Sequence, residues 1–214
     1  MKNRLLPNED RARIAIVVLW VVLFLDILNL IADYFQYNLL TDIENGIGIS
    51  PEAINTNDSS QRIIAILGLI ALIISGITFI RWFRRAYNNL GLMGERMKHS
   101  EGWAAGSWFV PFLCLYMPFE MMSEMYRKTK GLLADGRSTK FMGWWWALWL
   151  ISNIIGSISA RLIDSESVSG LKMATIFSML HALLNILAAL LSIKLIREYS
   201  EMEKRLPEAV IEND

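Results

Sequence analysis

The chain has 214 residues, 54% of them hydrophobic, and its 21 Lys and Arg are balanced by 21 Asp and Glu. That balance argues against nucleic acid as a partner, and the lone Cys114 excludes an internal disulfide framework. Four apolar runs, at 14–31, 63–80, 144–158 and 173–193, instead call for a membrane, because a bilayer core about 30 Å thick takes roughly 20 apolar residues to cross as a helix.

The first crossing is expected over about 13–37. Its apolar run continues past Asp26 with no small-residue cleavage site behind it, so it reads as an uncleaved signal anchor. Asp26, Asn29 and Asp33 are spaced three and four apart and share one helix face. The connection 38–61 is polar and turn-rich, with Ser50-Pro51 a plausible helix start and Asn57-Asp58-Ser59 a sequon of the kind polar loops produce by chance. A second crossing follows at about 62–83, with Gly68, Ala71, Ser75 and Gly76 as a small-residue stripe suited to close packing in lipid.

Segment 103–118 is apolar, but Pro111 interrupts it and sixteen residues are short for a crossing. It reads as a re-entrant or interfacial element, running with its sequel over about 102–131. Pro118–Gly131 is expected to be an amphipathic helix in the interface plane, with Phe119, Met122, Met125 and Tyr126 as the apolar stripe. Glu120, Ser123, Glu124, Arg127 and Lys128 are placed on its solvated face. The third crossing, about 143–160, opens with Trp144, Trp145, Trp146 and Trp149, a composition expected of a headgroup-level belt. The fourth, about 172–196, carries His181, Asn185, Ala188 and Ser192 on one stripe.

Charge sets the orientation. With four crossings, 18 of the basic residues fall on the side of both termini and only Arg62, Arg161 and Lys172 on the other, so the termini are expected to be cytoplasmic. A fifth crossing at 103–118 would reduce the split to 11 against 10.

The block 81–128 carries a motif: Trp82-x-x-Arg85-Ala86-Tyr87-x-Asn89-Leu90, then Gly94, then Ser100-x-Gly102-Trp103-Ala104-x-Gly106-x-Trp108-Phe109-Val110-Pro111, and later Pro118-Phe119. It resembles the domain-of-unknown-function 4328 family of bacterial multi-pass membrane proteins. The resemblance implies a bacterial origin and an integral membrane location, and it carries over no catalytic residue. In physical terms Arg81, Arg84 and Arg85 sit at the negative end of the second helix, with Trp82, Tyr87, Trp103 and Trp108 close in sequence. The group is a candidate collar for lipid headgroups or small anions.

Ionisable residues inside a crossing are costly and raise a functional hypothesis. At 1.5 Å per residue, Asp26 lies roughly 20 Å from the cytoplasmic start and His181 roughly 14 Å from the external one, which puts them at similar depth. Asp26, Asn29, Asp33, Asn153, His181 and Asn185 therefore form a candidate intramembrane cluster, read either as interhelical glue or as a proton or cation relay. No catalytic residues, metal site or cofactor are identified: His99 and His181 fall on different sides, no His-Glu-x-x-His occurs, and Ser107 lacks a base.

The expectation is an all-α, integral membrane four-helix bundle forming one membrane domain over 1–214, with a cytoplasmic re-entrant or interfacial segment and an amphipathic helix. Its expected place is the bacterial cytoplasmic (inner) membrane. Its expected role is that of a non-catalytic scaffold or accessory subunit binding membrane lipids or partner helices, in a homo- or hetero-oligomer. A small ion- or proton-coupled transporter using Asp26 and His181 is the alternative.

Overall fold

The structure, a computed structural model, describes residues 5–211, so Lys2 and Arg4 of the charge count lie outside the described residues. Every regular element among these residues is helical: α1 (Glu9–Glu44), α2 (Pro51–Leu92), α3 (Trp103–Gly106), α4 (Met117–Leu133), α5 (Lys140–Leu162) and α6 (Val168–Ile211). Four of them, α1, α2, α5 and α6, are long and apolar enough to cross a membrane. The chain is thus an all-α, multi-pass membrane protein. Segment 103–118 is not a fifth crossing but a short helix, turns and a 3-10 turn at Leu113–Leu115. Phe112, just after Pro111, takes a positive φ of 64°.

Helix ends follow local chemistry. Ser50 Oγ accepts the Ala53 N–H at 3.2 Å and starts α2, with Pro51 in the first turn, where its missing N–H costs nothing. The motif residue Gly94 ends α2 at φ 87°, in the left-handed conformation. Its N–H reaches Gly91 O and the Glu95 N–H reaches Leu90 O, the paired bonds of a Schellman stop. The same stop ends α4, but there Ala134 holds the left-handed position at φ 49°. α6 runs through Pro207 to Ile211.

The helices α1, α2 and α6 have 36, 42 and 44 residues. At 1.5 Å per residue they measure roughly 54, 63 and 66 Å, about twice a bilayer core. Contacts divide the described residues into two compact units, one of 5–19, 74–144 and 191–211, the other of 20–73 and 145–190.

The core of the first unit is a protein interior. Trp82, Phe83, Ala86, Tyr87 and Leu90 of α2, Met121, Met122, Met125 and Tyr126 of α4, and Leu195, Ile196, Tyr199 and Met202 of α6 are buried. Their spacing of three and four repeats on each helix, the pattern of a single buried face. Tyr199 packs edge-on to Trp82 with ring centroids 6.0 Å apart, and Tyr126 donates its hydroxyl hydrogen to Leu195 O. The apolar stripe of α4 therefore lies on protein, and not on the bilayer as its amphipathicity alone implies. The reason is that α2 and α6 overrun the membrane thickness and supply apolar surface for it.

This unit also holds the segment before α1. The side-chain amide of Asn89 pairs with the Leu6 backbone through two bonds of 3.0 Å, as a neighbouring strand would. Buried Glu203 accepts from Asn89 at 2.6 Å and from Asn8 at 3.0 Å.

In the second unit the outward residues are apolar and exposed, among them Phe24, Ile31, Leu72 and Ile154, as lipid contact requires. Lys172 joins the start of α6 to the end of α1, at 2.6 Å from Glu44 and 5.0 Å above the Tyr37 ring. Trp145 and Trp146 are buried, and Trp146 stacks on Trp149 at 4.9 Å. In the first unit Trp144 is 70% exposed. The expected four-residue belt reduces to Trp144 and the half-buried Trp149, because Trp145 and Trp146 are buried.

Candidate functional site

The second unit contains a cavity of about 220 Å³ among the apolar crossings. Its polar wall is built by Asp26 and Asn29 of α1 and by Ser178, His181 and Asn185 of α6. The α6 residues are spaced three and four apart, so they share one face, as the α1 residues do. The opposite wall is α2, where Ala65, Gly68 and Ala71 leave room that larger side chains would fill. A Cβ added at Gly68 meets nothing within 4 Å.

Each polar group has a defined partner. Asn185 Nδ2 donates to Asp26 Oδ2 at 2.8 Å. Asn29 Nδ2 donates to Asp33 Oδ2 at 2.8 Å and to Ser178 Oγ at 3.2 Å. Asp33 is 3% exposed and lies behind the cavity wall. The imidazole of His181 meets Ser152 O at 2.8 Å through Nδ1. A carbonyl can only accept, so Nδ1 carries the hydrogen and Nε2 is the basic nitrogen. Gly156 seats the ring: an added Cβ there would lie 2.9 Å from Nδ1.

The sequence-based cluster is thus brought together in part. Asp26, Asn29, Asp33, His181 and Asn185 converge, with Asn185 as the partner of Asp26. Asn153 stays out, because it is exposed and donates to Trp149 O of its own helix at 2.7 Å. Sequence reasoning missed Ser178, which the spacing to His181 and Asn185 could have supplied. It also missed the Ser152 carbonyl, which leaves no signal in a sequence.

In the first unit the arginine collar comes apart. Arg81 and Arg84 are exposed, with Arg84 3.0 Å from Glu101, and Arg85 is half-buried. Trp82 and Tyr87 do not reach headgroups, because both are core side chains with 0% and 1% exposure. Tyr87 donates to Glu124 at 2.7 Å, and Glu124 also accepts the Lys98 N–H at 2.9 Å. That places Glu124 inside the fold, not on the solvated face expected for it. Trp103 is 39% exposed, while Trp108 turns its Nε1 onto Ala104 O at 3.1 Å. Among the described residues no group of three His, Cys, Asp or Glu is arranged to hold a metal.

Comparison with curated proteins and with solved structures finds no match. A family model described as a domain of unknown function matches residues 45–201. The match takes in Ser178, His181 and Asn185 but not Asp26 or Asn29, so one polar wall of the cavity lies inside it and the other outside. It covers well over half of the chain and includes the whole tryptophan, glycine and proline motif, and on that basis the chain belongs to the DUF4328 family.

Proposed function

We propose that the chain is a small proton- or cation-coupled membrane transporter whose working site is the cavity bounded by Asp26, Asn29, Ser178, His181 and Asn185. The observation that carries this reading is a carboxylate lining a cavity of about 220 Å³ with a neutral amide as its partner. An ionised aspartate within a crossing is expensive, and one amide hydrogen bond does not neutralise it. A proton or a small cation does. Liquid water takes about 30 Å³ per molecule, so the space admits several waters or a partly hydrated ion. His181, with a basic Nε2, supplies a second group at which a proton can be held.

The scaffold reading assigns the same residues to helix packing alone. We place the protein in a bacterial cytoplasmic membrane with both termini inside. The family resemblance supports the bacterial origin, and the 18-to-3 distribution of basic residues supports the orientation. Arg81, Arg84 and Arg85 then act as topology determinants near anionic lipid, and exposed apolar faces are left for lipid or partner helices.

The test is flux across vesicles containing the purified protein, driven by a pH, sodium or potassium gradient. Asp26→Asn keeps the shape and the hydrogen bonding but cannot take up a proton, and it is expected to fold and to abolish the flux. Wild-type vesicles no leakier than empty ones under all three gradients would overturn the transport reading.

A further inference from the structure

We infer that a second cavity, of about 280 Å³ in the first unit, is a binding site for an anionic phosphate group. Phe119, Ser123, Arg127 and Lys130 line it from one face of α4, at spacings of four, four and three. Thr139, just before α5, and Met142, in its first turn, complete the wall. The lining holds two cations, two hydroxyls and no carboxylate. Among the described residues Arg127 makes no ion pair or hydrogen bond through its side chain, and Lys130 uses one N–H on Arg137 O.

Three nearby cations are already ion-paired. Lys128 lies 3.1 Å from Glu95, Arg137 lies 3.3 Å from Asp135 and 3.1 Å from Glu201, and Arg205 lies 3.2 Å from Asp135. Arg127 and Lys130 therefore bring positive charge to the cavity that no carboxylate offsets, with exposed Lys140 beside Thr139 adding to it. A guanidinium, an ammonium and two hydroxyl donors match the several acceptor oxygens of a phosphate. The amide dipoles at the start of the 23-residue α5 add to the same field.

Two sources can supply such a phosphate: a phospholipid headgroup or a soluble phosphate compound. Phe119 and Met142 give the cavity an apolar side, and Thr139 immediately precedes the α5 crossing, the depth at which headgroups lie. The experiment uses full-length protein in a nonionic detergent, with the thermal midpoint followed during titration by phosphatidylglycerol, by the matching diacylglycerol and by inorganic phosphate. Phosphatidylglycerol is expected to raise the midpoint and diacylglycerol to leave it unchanged. R127Q/K130Q is expected to weaken the phosphatidylglycerol effect roughly thirtyfold, as the loss of two basic contacts to an anionic surface implies. S123A/T139V keeps both charges and is expected to weaken it several-fold, which serves should the first variant not fold. A shift by inorganic phosphate alone, lost in the same variants, would support the site and assign it to soluble phosphates. Binding of both probes by the folded R127Q/K130Q variant as tightly as by wild type, or no stabilisation of wild type by either, would overturn the inference.

Discussion

The imidazole of His181 is positioned by an atom that is absent, the Cβ of Gly156. Restoring it with Gly156→Ala would set a methyl group 2.9 Å from Nδ1 and push the ring off the Ser152 carbonyl. Overpacking of this kind costs about 1–3 kcal/mol, so the thermal midpoint of the variant is expected to fall measurably. Gly68→Ala is the informative contrast. Its methyl group meets nothing within 4 Å, and alanine is the better helix former by roughly 1 kcal/mol. Thermal stability is therefore expected to hold or rise, while the cavity narrows and any flux through it drops. A flux unchanged in a stabilised Gly68→Ala protein would count against transport through this space. The spacing of Asp26, Asn29 and Asp33 was readable because helical period is written in sequence. The choice of Asn185 among the polar side chains of the other crossings was not, since Asp26 meets it through the crossing of two helices, and no local pattern encodes that geometry.

At the scale of the element, α4 shows what periodicity leaves open. Its apolar stripe is plain in the sequence, yet the same stripe would suit lipid or protein, and only the length of α2 and α6 decides between them. The ends of this helix yield two predictions. Ala134 holds a left-handed position that glycine occupies without a Cβ penalty. Ala134→Gly is expected to stabilise the protein by about 0.5–1 kcal/mol, seen as a higher midpoint in thermal unfolding. Near the start of α4, Glu120 is hydrogen-bonded by Lys98 and flanked by His99, which holds its carboxyl below the ordinary range. A depressed pKa adds stability above the unfolded value and loses it as pH falls through the folded one. The loop bearing Lys98 is therefore expected to loosen from α4 in mild acid, seen as lower amide protection factors at 98–99 once the intrinsic pH dependence of exchange is divided out. Glu120→Gln is expected to flatten that dependence, and protection factors equally pH-dependent in the variant would refute the assignment.

For the molecule as a whole, hydropathy and charge made the four crossings readable, because bilayer thickness fixes how many apolar residues a crossing needs. The two units were not readable: their boundaries fall inside continuous helices, where composition changes without any turn signal. The four-crossing topology has a direct check in a Cys114→Ser background. Cysteines at Gly136 and Lys204 are expected to resist a membrane-impermeant thiol reagent in intact cells and to react once the membrane is opened. Gly136 is preferred to Asp135, whose carboxylate is held by Arg137 and Arg205. External labelling at either position would exclude the orientation.

The clip on the N-terminal segment has a consequence for biosynthesis. Asn8 leaves the ribosome 195 residues ahead of its partner Glu203. Asn89 likewise waits through 114 residues for the same carboxylate. Contacts this distant in sequence form late, so the first helix can enter the bilayer long before its entrance segment is fastened. Closure of the first unit becomes a record that α6 has been made as far as Glu203. A chain truncated just before Glu203 is expected to insert all four crossings yet remain open to protease between residues 5 and 9, whereas the finished protein is protected there.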